Sequence, residues 1–254
     1  MKKAIRGALP FALMMIPIAA VGGWFTGSYA FASYTAQTQA LILEQVGSLW
    51  TLCAAAALES AVLAFVCALV GHMLSSAVGL MRPLCSQAEK VRRALPATVC
   101  CGVLLALDRW TFGRWLPQVG AIYADGLLTS RLDNWIASIL YGGVVEELML
   151  RLFLMSLLSL ILWKLLFRER SRERIPPLVF SCANLISALL FAAGHLPTTV
   201  SMFGGLTPLV VLRCFLLNGV LGLVFGWLYR RLGIQYAMLA HASTHLISKL
   251  IWLL

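Results

Sequence analysis

Charge is what this sequence has least of. Only 12% of its 254 residues are Asp, Glu, Lys or Arg, and only ten are acidic. A soluble domain carries about a quarter charged residues, so a soluble globular protein is excluded. Thiol pairs are missing too. The seven cysteines form no CxxC pair, and Cys53, Cys67, Cys100, Cys101, Cys182 and Cys214 lie inside apolar runs. That excludes a disulfide framework and a thiolate metal site, and marks small buried side chains. The apolar runs are continuous rather than alternating, which excludes a transmembrane β-barrel. No internal repeat, low-complexity tract or soluble domain breaks the chain.

What is present is apolar: 61% of the residues are hydrophobic and the mean hydropathy is +0.88. The expected fold is all-α, a polytopic transmembrane helical bundle. A span takes about 20 residues, and seven are expected: about 8–27, one within 46–81, about 94–112, 132–167, 177–196, 208–229 and 234–254. The fourth is too long for one upright span, so it is tilted, kinked or extended past the bilayer. The start, "MKKAIRGALPFALMMIPIAAVGGWF", resembles a signal peptide but reads better as an uncleaved first span.

The formal net charge is +10. Lys2, Lys3 and Arg6 precede the first span. Arg82, Lys90, Arg92 and Arg93 follow the second. Lys164, Arg168, Arg170, Arg172 and Arg174 follow the fourth, and Arg230 and Arg231 the sixth. Basic clusters on every second connection are topology signals, with the N-terminus inside and the C-terminus outside. They point to the lipid bilayer as partner and away from nucleic acid. An integral protein of a bacterial cytoplasmic (inner) membrane is expected.

Against this background "YGGVVEELMLRLF" stands out, because Glu146, Glu147 and Arg151 are expensive in lipid. Residues four apart on a helix share a face. Glu147 and Arg151 can therefore pair, while Glu146 has no partner in its own helix. A structural ion-pair cluster would explain the pair alone. Three of the four histidines shift the balance: His195 ends "LLFAAGH", and His241 and His245 stand four apart in "MLAHASTHLI". His72 stands alone and reads as structural. Four-residue His spacing on a helix is also that of two-His zinc sites. A desolvated Glu146 facing imidazoles is suited to activating water as general base and then general acid. Gly142, Gly143, Gly219, Gly222 and Gly226 suit close helix approach. Arg213 and Asn218 either satisfy buried groups or line a cavity.

These motifs resemble the CPBP intramembrane proteases, the group of CAAX prenyl endopeptidases and bacteriocin-processing or immunity (Abi) proteins. The EExxxR motif reads "EELMLR" (Glu146 to Arg151), FxxxH reads "FAAGH" (Phe191 to His195), and HxxxN/D reads "HASTH" (His241 to His245). The resemblance covers about 133–252. It implies an intramembrane endopeptidase whose water is activated by Glu146 and His195, with His241 and His245 supporting the intermediate. Glu147, Arg151 and Phe191 support the site. His245 stands where the family usually has Asn. The cofactor is thus either none or a divalent metal such as Zn, held by Glu146, His195, His241 and His245. The substrate implied is a membrane-anchored protein or peptide, not necessarily a prenylated one. Residues 1–132 are expected to be scaffold helices with substrate contacts, and 133–254 the catalytic core. The rivals are a non-catalytic immunity or scaffold protein of the same fold and a proton-coupled transporter.

Overall fold

The computed structural model describes residues 2–84, 87–126 and 128–254. The side chains of Lys2 and Lys3, two of the N-terminal basic residues, lie outside the described set. The chain is helical throughout, with no strand among the described residues. We label α1 Lys2–Ser33, α2 Ala36–Val46, α3 Leu49–Ala77, α4 Ala88–Ala106, α5 Phe112–Trp115 and α6 Pro117–Ala124. Then come α7 Leu132–Leu166, α8 Pro177–Gly194, α9 Leu196–Phe203, α10 Pro208–Arg231 and α11 Ile234–Trp252.

Five stretches are long and apolar enough to cross a membrane: Ile5–Ser33, Leu49–Ala77, Leu132–Leu166, Pro177–Phe203 and Pro208–Arg231. The two other expected spans are the 19-residue helices α4 and α11, which are more polar. Leucines and valines such as Leu58, Val62, Leu185 and Leu189 are exposed on the outer surface. Apolar side chains on that face suit contact with lipid tails. The basic residues after α7 are exposed together on a turn.

The long fourth segment stays one helix without a break. It contains two π-helical runs, Ser138–Glu146 and Leu148–Met155. Such runs are rare and are frequently found at functional sites. This helix is the axis of the bundle. Val145, Leu148, Leu152 and Met155 are fully buried, in one core with Phe225 and Leu228 of α10 and Ala240 of α11. Its first half packs on α11 and α1, its second on α3 and α8.

Small residues let the helices close. A Cβ on Gly143 would stand 2.6 Å from the Ala242 Cβ on α11. Any larger residue there would push the two helices apart. The connection at 113–131 holds the short helices α5 and α6, against which α10 places Val210.

Candidate active site

The three sequence motifs sit on three helices, and the structure brings them to one place. Glu146 Oε1 lies 4.0 Å from His195 Nε2, and Glu146 Oε2 lies 4.0 Å from His241 Nε2. His245 stacks on His241, with ring centroids 5.1 Å apart. Glu146, His195, His241 and His245 line one cavity of about 240 Å³, which Asn218 and Tyr29 also border.

Local sequence explains how each side chain reaches it. Pro197 has no N–H to continue the helix of α8, so the chain breaks at Gly194 and His195. His195 then stands at the break. Its Nδ1 lies 2.9 Å from the Phe191 carbonyl one turn back. A carbonyl only accepts, so Nδ1 carries the proton and Nε2 presents a lone pair to Glu146.

His241 is held more firmly. Its Nδ1 lies 2.8 Å from Glu147 Oε1. Its ring stacks on Phe225 at 4.5 Å between centroids, and Phe191 stands edge-on to it at 6.2 Å. With Nδ1 donating to the carboxylate, Nε2 again faces Glu146 as an acceptor.

Glu147 and Arg151 form the pair expected from their spacing, 3.1 Å apart and both almost wholly buried. The guanidinium also donates from Nη2 to the Gly222 carbonyl at 3.1 Å. It lies over the rings of Phe191 and Phe225, at 5.0 and 5.6 Å. Glu147 is therefore more than a helix-internal partner for Arg151, since it also orients His241 across the bundle. Phe191 packs against His195, His241 and Arg151 at once.

The two gaps around Glu146 have a common character. Each separates two acceptors, a carboxylate oxygen and a bare imidazole nitrogen, with no donor between them. A water fits such a gap by giving one hydrogen to each side. A metal ion would need ligands closing on one point, and among the described residues no three His, Cys, Asp or Glu side chains do so.

A larger groove of about 560 Å³ borders Glu146 and His195 and runs between α1, α7, α8 and α9. Tyr29, Tyr141, Met149, Leu190 and Met202 line it. Space beside Glu146 is thus mostly apolar, with tyrosine hydroxyls interspersed.

Several residues near the site were not singled out by sequence. Asp108 is buried and paired with Arg213 on α10, and accepts a hydrogen bond from Tyr123. Arg213 is thereby a partner for a buried carboxylate. Lys249, also not singled out, is buried four residues beyond His245. Its place on the His241–His245 stripe was the available signal.

Residues 129–247 match the family model described as Type II CAAX prenyl endopeptidase Rce1-like. The matched stretch contains all three motifs and every side chain that faces Glu146 above. No curated protein and no solved structure matches the chain.

Proposed function

We propose that this chain, whose residues 129–247 match the Rce1-like CAAX prenyl endopeptidase family model, is an intramembrane endopeptidase that uses Glu146 to activate water. The substrate is a peptide bond of a membrane-anchored protein or peptide. One observation carries the reading: Glu146 faces His195 Nε2 and His241 Nε2 at 4.0 Å each, with no donor between them.

A water in the Glu146–His195 gap gives one hydrogen to the carboxylate and one to the imidazole. Its lone pair is left for the carbonyl carbon of the substrate. Glu146 takes the proton as the C–O bond forms. It then returns that proton to the amine nitrogen as the C–N bond breaks. His245 stands on the same wall, without a carboxylate partner among the described residues, and is the donor we assign to the developing oxyanion. Glu147 accepts the Nδ1 proton of His241 and is itself held by Arg151, which keeps the imidazole in one tautomer. The mechanism routes no step through a metal.

Membrane insertion follows from the five long apolar helices. We place the chain in a bacterial cytoplasmic membrane with seven spans and its N-terminus inside, on the alternation of basic clusters.

The reading is tested with purified protein, in detergent and in liposomes, against lipid-anchored reporter peptides. Wild type is expected to cleave, and Glu146→Ala and His195→Ala are expected not to. Cleavage that survives both substitutions overturns the mechanism.

A further inference from the structure

The carboxyl groups within the five long apolar stretches are Glu59, Asp133, Glu146 and Glu147. Glu147 is paired with Arg151, and Asp133 with Arg131. Glu146 faces histidines in its cavity. Glu59, on α3, differs from all of them. It is exposed on the outer surface, and its carboxyl group has no hydrogen-bond or ion-pair partner among the described residues.

Depth makes this position costly. α3 runs 29 residues from Leu49 to Ala77, or about 43 Å at the helical rise. Glu59 stands about 6 Å along the axis from the middle of that helix. The hydrocarbon layer extends about 15 Å to either side of its midplane. With α3 centred in the bilayer, Glu59 lies about 9 Å short of the headgroups, farther than a glutamate side chain reaches. Lipid tails suit Leu58, Val62 and Val66 beside it, all exposed. They do not suit a carboxyl group, which at membrane depth faces a bundle interior, a wet cavity or a polar partner. The interior of this bundle lies on the other side of α3, where Cys53, Ser60, Ala64, Cys67 and Gly71 are buried. That side packs on α1 and α7, so closely that a Cβ on Gly71 would stand 2.9 Å from the Leu152 backbone. No residue of α3 lines the groove or the Glu146 cavity. The partner of Glu59 is therefore outside the chain.

The exposed face is built for another helix. Thr51, Ala55 and Glu59 follow one another at four-residue steps, and Val62 and Val66 continue the stripe. It is about 22 Å long. Small side chains at four-residue spacing let two membrane helices approach closely. Two copies inserted in the same orientation meet through the same patch about a two-fold axis. An axis along the membrane normal then sets Glu59 of one copy against Glu59 of the other at equal depth. Two carboxyl groups side by side hydrogen-bond through a shared proton. A cation is not what the second copy offers. Arg151 and Arg213 are taken by Glu147 and Asp108, and Lys249 is buried in the bundle.

We infer that the face of α3 centred on Glu59 docks a second copy of this chain, with the two Glu59 carboxyl groups hydrogen-bonded to each other inside the bilayer. The contact leaves the groove and the Glu146 cavity of each copy open, because α3 borders neither. The inference is independent of the endopeptidase reading.

The test uses the purified full chain in liposomes, with donor- and acceptor-labelled copies mixed and the protein-to-lipid ratio lowered stepwise. Wild type is expected to show energy transfer that is lost only on dilution. Glu59→Leu is expected to weaken association by about tenfold, the effect of one hydrogen bond between membrane helices. Glu59→Gln, whose amide both donates and accepts, is expected to keep most of it. A benzoylphenylalanine in place of Ala55 is expected to cross-link two copies under light. The same group in place of Val99, exposed on α4, is expected not to. Thermal melts in detergent check that each variant folds. Wild type that stays monomeric at every ratio overturns the inference and leaves Glu59 to a foreign helix carrying Lys or Arg. Association that Glu59→Leu leaves unchanged also overturns it, and so does equal cross-linking from the two positions.

Discussion

Glu147 Oε1 accepts the Nδ1 proton of His241 at 2.8 Å, across a sequence separation of 94 residues. This bond joins α7 to α11 and fixes which imidazole nitrogen faces the cavity. The same carboxylate oxygen lies 3.1 Å from Arg151 Nη1. A buried charge network thus stands directly behind the wall of the Glu146 cavity, and it couples the stability of the bundle to the tautomer of one histidine.

Glu147→Gln tests that coupling. The substitution leaves Arg151 as a buried cation without its carboxylate. Removing one partner of a buried pair costs about 3–5 kcal/mol. The variant is expected to melt well below wild type and to lose activity. Adding Arg151→Met removes the stranded charge, so the double variant is expected to regain most of the melting temperature. Activity is not expected to return, because His241 has lost its orienting anion. Thermal melts in detergent beside cleavage assays read both effects.

Glu146→Gln separates chemistry from stability. Glu146 touches its two histidines only at 4.0 Å and pairs with no arginine or lysine among the described residues. The amide keeps the size and loses the base. Cleavage is expected to fall by about 10²–10⁴-fold, the usual contribution of general acid–base catalysis. The melting temperature is expected to stay within a degree or two of wild type, roughly the effect of less than 1 kcal/mol. A large drop in melting temperature would make Glu146 a structural residue.

Much of this arrangement was legible in the sequence because intramembrane charges are rare and helical spacing is fixed. The Glu147–Arg151 pair follows from four-residue spacing on one helix. The isolation of Glu146 from Arg151 follows from the same geometry. The meeting of Glu146 with His195 and His241 was an inference from three motifs, since no periodicity links residues about 50 and 95 positions apart. The second role of Glu147 was not legible for that reason: it depends on where α11 passes α7. The π-helical runs were equally hidden, because a wider turn leaves no compositional mark. The last span was read with His241 and His245 on it, and packing adds Thr244 and Lys249 to the cavity-lining face of α11, whereas α4 reaches the cavities with Leu105. Asp108 and Lys249 were overlooked because each looks like a single charge near a span end, and only packing shows them buried.

Chelation bears on the chemistry directly. The gaps beside Glu146 suit water, so cleavage is expected to survive dialysis against EDTA or phenanthroline. His245→Asn, which restores the residue common in the family resemblance, is expected to stay active, since an amide can also donate to an oxyanion. Activity that vanishes on chelation and returns with zinc would assign the His and Glu side chains to a metal.

Gly143 sets the distance between α7 and α11. A Cβ there would stand 2.6 Å from the Ala242 Cβ and 2.8 Å from its Cα. Gly143→Ala forces the helices apart, and overpacking of this kind costs typically 1–3 kcal/mol. The same displacement lengthens the His241–Glu147 bond, so cleavage is expected to fall more than stability. Gly143→Ala with Ala242→Gly removes the Cβ–Cβ clash and is expected to recover part of both. Paired melting and activity measurements on wild type and the two variants check the order.

Tyr123 gives the fold a dependence on alkaline pH. It lies on α6, outside the spans, and donates to Asp108, which Arg213 also holds. Burial and then the negative charge of Asp108 raise its pKa well above the usual 10.0. A raised pKa means that the folded state keeps a proton the unfolded state has begun to lose. By linkage, stability then falls as pH rises. The contribution is complete below about pH 10 and declines progressively above it. Tyr123→Phe removes both the titrating group and the hydrogen bond. It is expected to melt lower than wild type at neutral pH, by about 1 kcal/mol for the lost bond. It is also expected to lose less stability between pH 9 and pH 11. Melting curves across that range decide the point: parallel slopes for wild type and Tyr123→Phe would show that Tyr123 does not carry the alkaline transition.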